Sequence, residues 1–200
     1  SASFGENFNF ICINDACPGK PIHENCVAIR GGWFSEEHRG TIYTGSDISI
    51  TVLGGKWAYI NGGHASGAVA VGNSEITIGG NTEIYQRLQL AGSNGGDVAG
   101  NVVVNITGGK IGSGGSETNA TTLSDYGLFL IGHAKEANAA EIAGNVTVNI
   151  SGGEINVIKA ARTQWESIKG DLTINISGDA QIKNVNIDPK HFDVDNKSQI

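Results

Sequence analysis

One ten-residue phrase recurs along this chain and confines it to a narrow class of folds. It reads Gly-Asn-Val-Val-Val-Asn-Ile-Thr-Gly-Gly at 100–109, Gly-Asn-Val-Thr-Val-Asn-Ile-Ser-Gly-Gly at 144–153 and Gly-Asp-Leu-Thr-Ile-Asn-Ile-Ser-Gly-Asp at 170–179. Degenerate copies stand upstream at 46–55 and 73–80. Self-similarity at a period of tens of residues marks a solenoid, whose units bury apolar surface only by stacking on one another.

Within each copy the apolar residues alternate with small or polar ones: Val102, Val104, Ile106; Val146, Val148, Ile150; Leu172, Ile174, Ile176. A period of two means a strand with one buried and one wet face. The Gly-Gly that follows supplies a sharp corner, because glycine accepts positive φ without steric cost. Thr51, Thr77, Asn105, Asn149 and Asn175 are equivalent positions, spaced by 26, 28, 44 and 26 residues. At ~3.3 Å per strand residue, such a coil suits a wide parallel β-helix with about three strands per turn. The 44-residue interval reads as one coil with an insertion over 112–125, where loop composition replaces alternation. Ala28–Trp33, Tyr59–His64, Gln89–Ser93 and Leu130–His133 read as a second strand-and-corner series in the same register.

The expected fold is therefore all-β: a right-handed, single-stranded parallel β-helix forming one domain. Residues 1–45 form an N-terminal cap, 46–187 the coils, and 188–200 an upper cap or tail. Glycine is abundant, at 30 residues against the usual ~7%, yet it sits at corners between apolar strands, which argues against disorder. A formal charge of −7 and the lack of any basic stripe exclude a nucleic-acid backbone as partner. There is no apolar run long enough for a transmembrane helix. The absence of Met and the start at Ser1 suggest a processed or recombinant fragment. Cys12, Cys17 and Cys26 crowd the first cap; one disulfide there fits an exported protein, and three reduced thiols are the alternative. Their spacing lacks a CxxC pair, so no zinc site is assigned.

Parallel β-helices carry many pectin-degrading enzymes, so catalysis was weighed. The chain has no Asp-Asp pair, and its acids Glu75, Glu83, Asp97, Glu141, Glu154, Asp171 and Asp179 are scattered. Inverting glycosidases need two facing carboxyls. His64 and His133 occupy similar corners, but an intervening coil separates them by on the order of 10 Å, too far for one zinc. Asp193-Val194-Asp195-Asn196 begins like a calcium loop without its glycine and glutamate. No cofactor or metal is implied. The outward ladder Thr51, Thr77, Asn105, Asn149, Asn175 reads as axial hydrogen bonding that stabilises the solenoid, with ice or crystalline-surface binding as the alternative. The sequons at Asn105, Asn119, Asn145, Asn149, Asn175 and Asn196 read as by-products of the repeat. Trp57, Tyr59, Tyr85 and Gln89 fall on successive coils and are the candidate glycan-contacting residues, since sugar rings stack on aromatics while amides read hydroxyls; a place inside the helix or under the inserted loop is the competing reading.

The stretch 144–155, Gly-Asn-Val-Thr-Val-Asn-Ile-Ser-Gly-Gly-Glu-Ile, resembles the repeats of adhesin-like surface proteins of gut and rumen anaerobes. The resemblance covers residues 46–187 and implies a parallel β-helix on a secreted or cell-surface protein. The cysteine-bearing start and the insertion after Gly112 depart from the pattern. The expected function is a non-catalytic module for adhesion or glycan binding, its partner a polysaccharide, a cell-surface glycan or another surface protein. The runner-up is a polysaccharide-degrading β-helix lyase or hydrolase.

Overall fold

A computed structural model describes residues 2–4, 28–33, 47–65, 72–90, 97–115, 126–131, 141–160 and 167–187. Cys12, Cys17, Cys26, His133, most of the insertion and the 188–200 segment lie outside them. The described residues are all-β, with parallel pairing throughout. None of them forms a helix long and apolar enough to cross a membrane.

The long alternating strands stack into one wall. Strands β1 (Ala2–Phe4), β3 (Ile48–Val52), β5 (Ser74–Ile78), β7 (Val102–Ile111), β10 (Val146–Ile155) and β13 (Leu172–Ile176) pair in that order. Their register aligns Ile50, Ile76, Val104, Val148 and Ile174 in one column and Val52, Ile78, Ile106, Ile150 and Ile176 in the next. Both columns enter the core, and their members from Val52 to Val148 are buried. Each fully buried Ile or Val adds ~1.5–3 kcal/mol, so stability accumulates along the columns. Ile176 ends its column 54% exposed.

Past the glycine corner, β7 and β10 continue into a second wall with β4 (Lys56–Ala65), β6 (Glu83–Gln89) and β14 (Gln181–Ile182). Gly55, Gly80, Gly109, Gly153 and Gly178 take positive φ of 56–89° at these corners, the conformation that makes a glycine necessary there. A third wall joins β2 (Ala28–Trp33), the far halves of β4 and β6, β8 (Gly127–Phe129), β11 (Ile158–Lys159) and β15 (Val185–Asn186).

A fourth short rung goes beyond the three-strand expectation. Val98 bridges Ile142, and β9 (Glu141–Ile142) pairs with β12 (Ser167–Ile168). Only one apolar residue per coil turns inward here, too few to show as alternation. Between this rung and the first wall lies a column of Asx residues. The N–H of Asn73 donates to Asp47 Oδ1 (2.8 Å), that of Asn101 to Asn73, that of Asn145 to Asn101 and that of Asp171 to Asn145 (each 2.9 Å). These bonds span 26, 28, 44 and 26 residues, the spacing of the phrase itself. The residue before each donor is a stacked glycine: a Cβ on Gly100, Gly144 or Gly170 would lie 2.4–2.5 Å from the carbonyl oxygen of the glycine one coil below.

The 44-residue coil holds an insertion between the second and third walls. Ile111 and Leu128 flank it, while their ladder partners Ile155 and Ile158 stand almost adjacent in sequence. In the third wall Ile29 meets Ile60 and Arg30 meets Asn61 as expected. The later coils slip: Gln89 and Phe129, rather than residues two further on, join Asn61. The expected corners at Gly92 and Gly132 lie outside the described residues; the pairing follows the apolar column Ile60, Leu88, Leu128, Ile158.

Candidate binding groove

The second wall carries an outward column that strand parity alone produces. Inward stand Trp57, Ile84, Ile111, Ile155 and Ile182; outward, one residue earlier, stand Lys56, Glu83, Lys110, Glu154 and Gln181. Charge alternates up this column. Lys56 Nζ lies 3.2 Å from Glu83 Oε2 and Lys110 Nζ lies 3.1 Å from Glu154 Oε1. Exposed pairs like these contribute ~0–1 kcal/mol each, so they shape the surface more than they stabilise it.

An open groove runs beside the column in two sections that share Glu83, Lys110 and Glu154. The larger, about 410 Å³, is floored by the glycine corners Gly80, Gly108, Gly109 and Gly153 and edged by Asn81, Thr82, Asp179 and Gln181. The smaller, about 290 Å³, is walled by Gly112, Ser113 and Gly115 at the start of the insertion, with Asn156 and Lys183 facing them. Local hydrogen bonds hold both. The Thr82 hydroxyl sits 2.7 Å from the Gly79 carbonyl oxygen and 3.1 Å from that of Val52. Ser113 Oγ donates to Glu83 Oε1 at 3.0 Å, and Asn156 Nδ2 donates to the Tyr126 carbonyl at 3.1 Å. The first residues of the insertion thus wall the groove, as insertions in repeat proteins tend to do on the binding face.

The four candidate glycan contacts separate. Trp57 is 1% exposed, in the inward column of isoleucines, with its indole Nε1 donating to the Gly54 carbonyl at 2.9 Å. This corrects the expectation that it faces outward with Tyr59. Trp57 and Ala58 are both buried and the register shifts between Trp57 and Tyr59, so the strand turns there and parity reverses. Gln89, at 2% exposure, shares a sealed column with Asn61 and Phe129 and is likewise corrected. Tyr59 and Tyr85 are half-buried. The Arg87 guanidinium lies 5.0 Å above the Tyr59 ring. Tyr85 meets Tyr126 edge-on at 5.7 Å, and a Cβ on Gly114 would fall 2.4 Å from its ring. The start of the inserted loop, at Gly114, therefore rests on Tyr85.

The outward Thr/Asn ladder is engaged with itself. Asn175 Nδ2 donates to Asn149 Oδ1 and Asn149 Nδ2 to Asn105 Oδ1, each at 2.9 Å. Asn105 Nδ2 reaches Glu75 Oε1 at 3.5 Å, and Thr51 pairs in register with Thr77. These axial bonds are those expected of a stabilising ladder.

Asp97 is the described group with a clear electrostatic perturbation. Burial raises its pKa above the usual carboxylate value; the Glu141 N–H, donating to its Oδ1 at 2.9 Å, lowers it, and repulsion from the Glu141 carboxylate raises it. Lys169 Nζ stands 3.7 Å from Glu141. Among the described residues no three His, Cys, Asp or Glu side chains gather as a metal site.

Sequence reasoning missed the charged column, although its signal is present. Gly-Gly-Lys-Trp (54–57), Gly-Gly-Lys-Ile (108–111) and Gly-Gly-Glu-Ile (152–155) share one pattern of corner, charge and apolar anchor. Aligning them puts Trp57 with the isoleucines and Lys56 with the lysines and glutamates. No protein-family model, curated protein or solved structure matches the chain.

Proposed function

We propose that this chain is a non-catalytic β-solenoid module of a secreted or cell-surface protein, and that it binds a glycan in the groove beside the charged column. The observation that carries the reading is the coincidence of the insertion with that groove. Ser113 ties the start of the insertion to Glu83, so residues 112–115 wall a trough of alternating donors and acceptors over a glycine floor. Such a surface suits a ligand rich in hydroxyl groups, since each hydroxyl both donates and accepts. The resemblance of residues 144–155 to adhesin-like repeats agrees with a surface role.

The same geometry speaks against turnover. A glycosidase places the scissile bond between two carboxyl groups. In this groove Lys110 stands in register between Glu83 and Glu154 and is paired with one of them. A glycan-array screen of the purified protein, with reducing-end assays on every binder, tests the reading. Binding is expected without new reducing ends, and Glu83→Ala with Lys110→Ala should abolish it. Release of ends that disappears in Glu154→Gln would establish the enzyme instead.

A further inference from the structure

We infer that the groove selects an uncharged polysaccharide and discriminates against uronate-containing chains. The inference rests on the glycan reading above and concerns its ligand class. The column Lys56, Glu83, Lys110, Glu154 alternates in sign at successive coils, and two of its contacts are closed ion pairs of 3.2 and 3.1 Å. Every lysine of the column thus has a glutamate beside it and every glutamate a lysine. A carboxylate entering the larger section would meet Glu83, Glu154 and Asp179 against Lys110 alone, so repulsion outweighs attraction while its desolvation remains unmet. A sugar hydroxyl loses far less hydration and can bridge from an ammonium donor to a carboxylate acceptor. Charged partners make such hydrogen bonds about twice as strong as neutral ones.

The floor supports the same class. Gly108, Gly109 and Gly153 carry no side chain, and a Cβ on Gly109 or Gly153 would meet backbone atoms at 2.7–2.8 Å. A pyranose ring can therefore lie against main chain, whose fixed carbonyl and amide dipoles carry no net charge. Coils rise by ~4.8 Å, so successive donor and acceptor rungs present themselves at about the length of a sugar ring. An extended neutral chain laid along the axis would meet the same chemistry at alternate rungs.

The experiment is calorimetric titration of the whole protein with a β-glucan, a xylan, a mannan and polygalacturonate, each at low and high salt. The expected result is binding of at least one neutral polymer with a Kd that shifts less than ~2-fold between about 0.05 and 0.5 M NaCl. Glu83→Ala with Glu154→Ala should weaken it at least ~10-fold while the melting temperature holds, because the pairs are exposed. Glu83→Gln with Glu154→Gln keeps the acceptors but leaves the two lysines uncompensated, so polygalacturonate should gain affinity and become salt-sensitive. Groove-dependent binding of polygalacturonate by the unaltered protein, falling steeply with salt, would overturn the neutral-ligand inference and leave the glycan reading standing. Failure of all four polymers, or neutral binding indifferent to the alanine variant, would overturn both.

Discussion

The backbone N–H of Asn145 donates to the side-chain Oδ1 of Asn101 at 2.9 Å across 44 residues of sequence. The same bond closes the two 26-residue coils and the 28-residue coil. Coil length therefore varies while the corner geometry does not. The insertion is accommodated because the Asx contact clamps the coil after it has rejoined the repeat.

Replacing Asn101 with alanine removes that acceptor and leaves the Asn145 N–H without its partner. A loss of about 1 kcal/mol is expected, typical of a capping side chain. Asn101→Asp should cost less than half as much, since Asp47 already serves as acceptor in the same column. Urea unfolding of both variants measures the difference; equal losses would show that the side chain acts through something other than its oxygen.

Glycines at the two ends of the phrase should differ in tolerance. An alanine at 144 would press its Cβ to 2.4 Å from the Gly100 carbonyl oxygen, whereas at 108 the closest approach is 3.2 Å. Gly144→Ala should destabilise by about 1–3 kcal/mol, the range for overpacking, and Gly108→Ala by clearly less. Thermal melts that rank the two in the opposite order would count against the stacked-glycine account.

Ile150 and Ile176 occupy the same column one coil apart, yet Ile150 is 1% exposed and Ile176 is 54% exposed. Ile150→Asp buries an unpaired charge at a cost of several kcal/mol against a net stability of ~5–15 kcal/mol, and should prevent folding. Ile176→Asp should remain soluble and lose no more than about 1 kcal/mol. Circular dichroism and gel filtration of the two proteins decide whether depth in the stack governs the outcome.

The raised pKa of Asp97, caused first by burial, fixes the sign of a pH effect. The native state holds this proton more tightly than the unfolded chain does. The contribution of Asp97 is thus most favourable at low pH and is lost as pH rises from the usual carboxylate value through the folded one. Asp97→Asn keeps an acceptor for the Glu141 N–H and removes the repulsion. It should melt higher than the parent at neutral pH and converge with it below about pH 4. A constant offset across that range would argue that the carboxyl is not the titrating group.

Trp57→Ala should cost about 3–5 kcal/mol, as for other buried large side chains, and act on stability. The indole lies 1% exposed against the core. If the variant melted like the parent and lost only glycan affinity, the inward placement would be wrong.

Much of the fold was legible because the stacked rungs repeat: the alternating part of the phrase, at 102–106, 146–150 and 172–176, matches the ladder of β7, β10 and β13 residue for residue. The insertion was legible because Ser, Gly and Thr replace alternation after Gly112. Less of the site could be read. Parity carries a side-chain direction only while a strand stays straight, and β4 turns at Ala58, which sends Trp57 inward and Tyr59 outward. The fourth rung escaped notice because Val98, Ile142 and Ile168 are single apolar residues without alternating neighbours. The charged column was written in the sequence beside each Gly-Gly corner but becomes a surface only when coils 26–44 residues apart are stacked.

The Asx hydrogen bonds all run the same way: the side chain of one coil accepts, and the backbone of the next coil donates. The ladder therefore has a direction that its near-identical strands do not reveal. In this column each coil offers an acceptor to its successor and a donor to its predecessor. In repeat arrays structure spreads between neighbours from whichever unit forms first. A chain leaving the ribosome with its N-terminus foremost exposes every acceptor before the donor it will receive, so assembly in the order of synthesis is assembly onto a finished template.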